Sequence, residues 1–336
     1  MRILFAACVL LSHAPENTDG NASRELLTRL THALSFGSFG VDGFFLLSGY
    51  LIVKSWQRSP GLGDYLRRRI LRIVPGYVVA VVLSVVIVGL IAPAVPRYFT
   101  HFGLRFWGSV LMLSSPLTPP VFPGLPNGLP NGALWTISYE CRCYLLVALF
   151  GLCGWLRRPL GWAAATVVFL GLNIAQSLHK LPEWHTLLAL RGDPDQIYRL
   201  ASAFFVGGCF YLFEKHIQYR RAYALLAIAA IVLADLRPHL FETVLIACGG
   251  YLLFYLMSLK LRWLAGMDRF PDISYGLYLY GSPVEMLLIW HYRTSPWITF
   301  AAALAICIPL GWLSWHFIER PMLALKPRPS APLPAA

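Results

Sequence analysis

The chain has 336 residues, 57% hydrophobic and only 13% charged, with a formal charge of +12 and a mean hydropathy of +0.59. A soluble domain carries about 25% charged residues, so this composition excludes a disordered chain, a nucleic-acid-binding domain and a soluble enzyme. A polytopic helical membrane protein remains. Long unbroken apolar runs, without alternation, also disfavour a transmembrane β-barrel.

Apolar segments fall near 3–14, 36–56, 73–94, 133–155, 159–178, 196–214, 221–236, 240–259, 272–291 and 297–318. A span needs about 20 apolar residues. The pattern predicts an all-α transmembrane bundle of about ten spans. The stretch 103–115 is too brief to cross and reads as an interfacial or re-entrant helix. With both termini placed in the cytoplasm, eighteen of the 28 Lys and Arg fall on that side and nine on the other, with Arg142 inside a span. That bias fits the positive-inside rule and accounts for the charge without a nucleic-acid partner. The loop 115–132 is rich in Pro and Gly and cannot be helical. One integral-membrane domain, 1–326, is expected, followed by a short Pro/Ala-rich cytoplasmic tail, 327–336. The seven cysteines lie in apolar stretches with no C-x-x-C pair, which points to buried thiols rather than a disulfide framework or a metal site.

Ionisable residues inside spans cost about 2.5–3.5 kcal/mol each on insertion scales, so each is a candidate functional residue. They are His13, Asp42, Glu140, Arg142, Asp235 and Glu285. Arg2 and His13 are eleven residues apart, about 20° past three helical turns, so they share a face, with a rise of about 16 Å between them. A neutral imidazole within the membrane suits a general base. From this helix alone a polar helix end, or a histidine satisfied by a neighbouring backbone carbonyl, is the simpler reading, and a signal peptide is the other bland one, although Pro15 argues against cleavage after Ala14. Asp42 enters the second span beside Phe44 and Phe45 and could orient His13 or favour a helix N-terminus. Arg69 and Arg72 are i,i+3 neighbours, with Arg67 and Arg68 beside them. They read as a cytoplasmic anchor or as a phosphate clamp, because guanidinium forks match phosphate oxygens. Glu140 lines up with Thr136 and Tyr144, and needs a partner such as His13 or an arginine.

Six segments, in this order, resemble the acyltransferase-3 family of bacterial integral-membrane acyltransferases. Arg2 and His13 carry an Arg-x10-His pattern. Gly37 to Gly49 carry G-x-x-G-V-D-x-F-F-x-x-S-G. Arg69, Arg72 and Pro75 carry R-x-x-R-x-x-P. Leu134 to Tyr144 carry L-W-[ST]-[IL]-x-x-E-x-x-x-Y. ISYGLYLY (273–280) and WHFIERP (315–321) match the last two spans. The glycine-phenylalanine segment is the most specific.

The resemblance implies a ten-helix fold in the bacterial cytoplasmic membrane and transfer of an acyl group, most often acetyl. The implied donor is cytoplasmic acyl-CoA, acetyl-CoA in the usual case, with no permanently bound cofactor and no metal. The implied acceptor is a hydroxyl of a cell-surface or exported carbohydrate or glycolipid. It makes His13 the essential histidine with Arg2 as its partner, and Arg69 and Arg72, with Arg68 beside them, the donor-binding arginines. Apart from the resemblance, either Asp42 or Glu140 could fix the imidazole tautomer, which completes the catalytic candidates. The chain departs from the pattern where many members carry a histidine after S-Y-x-x-Y-L-x. Here Tyr280 and Gly281 stand, followed by Pro283 and Glu285. Intramembrane charges and Gly/Pro-interrupted helices also suit a transporter or flippase of a lipid-linked sugar. A catalytically silent scaffold would have no need of a buried imidazole.

Overall fold

The computed structural model describes residues 1–31, 34–91, 98–179, 194–259 and 271–326. The tail 327–336 and most of the loop near 179–195 lie outside them. Among the described residues the regular structure is entirely helical: α1 (Arg2–Asp19), α2 (Leu26–Thr31), α3 (Phe36–Gln57), α4 (Leu62–Val81), α5 (Val88–Ile91), α6 (Leu104–Leu111), α7 (Trp135–Leu152), α8 (Pro159–Ser177), α9 (Pro194–Leu212), α10 (Arg221–Ala234), α11 (Pro238–Ser258), α12 (Ser274–Tyr292), α13 (Pro296–Ser314) and α14 (Arg320–Ala324). A π-helical turn, Val82–Ile87, joins α4 to α5, and another, Trp315–Glu319, joins α13 to α14.

Each of the ten apolar segments holds a helix. Five helical stretches are long and apolar enough to cross a membrane: Phe36–Gln57, Leu62–Ile91, Pro159–Ser177, Pro238–Ser258 and Pro296–Ala324. The apolar helix Arg221–Ala234 is shorter. α8 and α10 leave Val167, Val168, Leu225, Leu226, Val232 and Leu233 exposed, the apolar surface a bilayer would cover. Prolines open α8, α11 and α13, where the missing N–H has no intrahelical partner to lose. α1 runs five residues beyond its apolar segment, through Pro15 to Asp19. His13 is therefore within a helix rather than at its end. Leu104–Leu111 is helical within 103–115, and residues 115–132 contain no helix.

The chain divides into two compact units. The first holds Met1–Pro15, Asn21–Val53 and Leu145–Phe270. Here glycines set the spacing of α3. A Cβ on Gly40 would stand 2.6 Å from the Phe5 carbonyl oxygen of α1, and one on Gly43 would overlap the Phe5 ring. Nine residues beyond Gly40, on the opposite helix face, a Cβ on Gly49 would stand 1.9 Å from the Phe204 carbonyl oxygen of α9. Gly207 of α9 reciprocates, 2.0 Å from the Leu46 carbonyl oxygen. Backbones meet directly at these crossings, as small residues allow. α8 and α9 pack through Trp162, which stacks on Phe205 at 4.3 Å and donates to its carbonyl oxygen at 2.9 Å.

The second unit holds Glu16–Gly20, Lys54–Tyr144 and Pro271–Ala336. α12 and α13 cross at Gly276, whose Cβ would lie 2.7 Å from the Gly311 Cα. α4 meets α12 at Gly76, against the Tyr275 ring, and the Tyr275 hydroxyl donates to the Ile73 carbonyl at 2.9 Å. The Pro/Gly-rich loop is pinned by Asn131, whose amide donates to Ser84 Oγ and to the Leu279 carbonyl, both at 2.9 Å.

Candidate functional site

In the first unit, α1 carries Arg2 in its first turn and a half-buried His13. α3 carries Asp42, buried at 4% exposure. The carboxylate that the sequence offered as an orienter of His13 is engaged instead by Arg199 of α9, Nε to Oδ1 at 3.3 Å. Arg199 is itself buried, donates to Ser38 Oγ at 3.0 Å and lies 3.7 Å from Glu242 of α11. The positive-inside count places Arg199 with the outer loops. It belongs inside a helix, where Asp42 compensates it. An arginine falling within an apolar window was the available signal.

In the second unit, Arg68, Arg69 and Arg72 lie on α4, and their surroundings separate them. Arg68 is bridged to Asp64 one turn before it at 2.8 Å. Arg72 is held by two carboxylates, Asp272 at 2.8 Å and the buried Glu319 at 3.4 Å, and lies 5.7 Å from the Tyr275 ring centre. Its charge is spent inside the protein. Arg69 differs. Its Nη2 donates to Ser55 Oγ at 3.0 Å and its guanidinium lies 5.7 Å from the Tyr144 ring centre. Among the described residues no carboxylate pairs with it, and its buried Nε has no acceptor. Glu140 of α7 accepts a short hydrogen bond from Tyr144, one turn on. Arg142 points elsewhere, over the Tyr139 ring at 5.0 Å.

Lys326, just beyond α14, joins this group, and nothing in the sequence marked it. Burial first, and then the fields of Arg69, Arg72 and Arg68, bring its ammonium down to about 8. Burial is the larger cause and the three guanidiniums add to it, which places four cationic groups in one neighbourhood. Such a cluster, with one guanidinium that no carboxylate pairs among the described residues, suits phosphate oxygens. Among the described residues no three His, Cys, Asp or Glu side chains gather as metal ligands would.

A family model described as an acyltransferase domain matches residues 1–316. The chain belongs to this acyltransferase-3 family, and it is an acyltransferase that transfers groups other than aminoacyl groups. Among curated proteins it is 26% identical to the O-acetyl transferase of Shigella phage Sf6, over 86% of either chain. It is 27% identical to nodulation protein 10 of Rhizobium leguminosarum bv. viciae, over 96% of this chain and 92% of that one. It is 24% identical to the peptidoglycan O-acetyltransferase OatA of Listeria monocytogenes, over 90% of this chain and 55% of the other. No solved structure matches it.

Proposed function

We propose that the chain is a membrane-bound O-acetyltransferase that moves an acetyl group from cytoplasmic acetyl-CoA to a hydroxyl of a cell-surface or exported carbohydrate. The observation that carries this reading is the family match over residues 1–316 together with relatives named as O-acetyltransferases. The uncompensated Arg69, with Arg68, Arg72 and Lys326 around it, supports a polyphosphate-bearing donor.

In this reading His13 takes the proton of the acceptor hydroxyl, whose oxygen attacks the thioester carbonyl carbon. The C–S bond breaks, and the coenzyme leaves as a thiolate that receives the proton from His13. A thiolate is a good leaving group, so base catalysis and positioning supply most of what is needed. Arg2, three helical turns from His13 on α1, contributes to binding the donor. The reading places about ten spans and both termini around the bacterial cytoplasmic membrane, with residues 1–326 as one catalytic domain and 327–336 as a tail.

The test is transfer of label from [14C]acetyl-CoA to extracted surface polysaccharide, in membranes carrying wild type or His13→Ala. Label with wild type alone is expected. Equal label from both removes His13 from the reaction. No label from wild type overturns acetyl transfer and favours the transporter.

A further inference from the structure

One buried acid plays no part in the chemistry above and lacks a full set of partners. Glu285, on α12, is 0% exposed. Its Oε2 receives the Asn17 amide at 3.5 Å, the long limit of a hydrogen bond. Its Oε1 is buried with no partner among the described residues. Asn17, itself 4% exposed near the end of α1, accepts from the Asn127 amide of the Pro/Gly-rich loop, again at 3.5 Å. Glu16 brings a second carboxyl into the field at Glu285. All of these groups belong to the second unit.

The frame around this cluster is firm. The Gly132 N–H donates to Ser282 Oγ at 3.0 Å, fastening the loop to α12 three residues before Glu285. Gly20, at φ +77°, turns the chain against Pro126, where a Cβ would lie 3.0 Å from the Pro126 Cβ. The loop is therefore held against both α1 and α12, while the contacts among Glu285, Asn17 and Asn127 are stretched.

The donor inventory identifies the ligand class. A carboxylate oxygen without a partner calls for a donor. Each amide already donates once, Asn17 to Glu285 and Asn127 to Asn17, and has a second N–H to give, which an ammonium, a donor only, could not accept. A sugar hydroxyl both donates and accepts, so adjacent hydroxyls can donate to Glu285 while accepting from Asn17 and Asn127.

We propose that Glu285, Asn17 and Asn127 form the subsite that binds adjacent hydroxyls of the acceptor carbohydrate. This rests on the acetyl-transfer reading above.

The experiment is steady-state acetyl transfer in membranes, with [14C]acetyl-CoA as donor and surface polysaccharide extracted from a strain lacking the gene as acceptor. Glu285→Gln is compared with wild type for both KM values and for unfolding temperature. A rise of about tenfold in the polysaccharide KM is expected, with the acetyl-CoA KM and the unfolding temperature unchanged. Asn127→Ala, on the loop, keeps the test decisive if Glu285→Gln fails to fold, with an expected rise of about threefold to tenfold in the same KM. An active wild type with an unchanged polysaccharide KM in folded Glu285→Gln or Asn127→Ala overturns the subsite alone. An equal rise in both KM values with a fall in unfolding temperature assigns the cluster to structure and overturns it too. A wild type that transfers no label overturns the acetyl-transfer reading and the subsite with it.

Discussion

The Cα of Gly49 approaches the backbone of Phe204 so closely that a Cβ there would lie 1.9 Å from the carbonyl oxygen. Backbone cannot swing aside as a side chain can. Gly49→Ala is therefore expected to cost the upper end of about 1–3 kcal/mol or more. Thermal unfolding in detergent measures it. Gly171→Ala is the control: nothing lies within 4 Å of its Cβ position, and the substitution is expected to be neutral or to stabilise by about 0.4–1 kcal/mol.

Arg199 and Asp42 compensate each other at 3.3 Å, each less than a tenth exposed. Removing one partner of a buried pair leaves a bare charge and costs about 3–5 kcal/mol. Arg199→Met is expected to reach that range, because Asp42 keeps no other cation among the described residues. Asp42→Asn is expected to cost less, since Glu242 and Ser38 still face Arg199. The double variant should recover part of the loss. Chemical or thermal unfolding of all three provides the comparison.

Arg69 and Arg72 are expected to fail in different ways. Arg72→Ala removes the guanidinium that bridges Asp272 and Glu319, so the unfolding temperature should fall. Arg69→Ala leaves no carboxylate stranded, so stability should hold while the acetyl-CoA KM rises about 10- to 100-fold, the worth of a charge-assisted hydrogen bond at about 1.5–3 kcal/mol. Measuring KM and unfolding temperature on both variants separates binding from support.

Lys326 sets a pH dependence. Its folded-state pKa is depressed to about 8, so its ammonium is present below that pH and lost as pH rises through it. The burden of holding this charge among arginines is full below pH 8 and is relieved above it. Arginines keep their charge across this window, so lysine titration governs the change. The acetyl-CoA KM of wild type is expected to rise about two- to fivefold between pH 7 and 9, the worth of a partly exposed ion pair. Lys326→Gln should start at the higher value and stay flat. A wild-type profile without this rise would remove Lys326 from donor binding.

Hydrophobic runs were enough to locate every helix over an apolar segment, because apolar length is what a bilayer selects. They did not show which helices are apolar enough to cross on their own account, since α1, α7, α9 and α12 dilute their apolar faces with polar groups. The arginine cluster was legible from i,i+3 spacing. The division of labour within it was not, because Asp272 and Glu319 reach Arg72 from about 200 and 247 positions away. Asp42 was found by its cost in the membrane, but Arg199 was assigned to a loop by its position near a segment boundary. Lys326 and Asn127 carried no signal, lying in segments whose composition reads as tail and turn.

α3 has neighbours at backbone distance on opposite faces, α1 at Gly40 and α9 at Gly49. A rod wedged on both sides at its narrowest points has no play in which to slide or roll. The three helices at these crossings thus act as a stationary chassis, and any rearrangement that accompanies turnover has to be accommodated by parts of the chain with side-chain clearance.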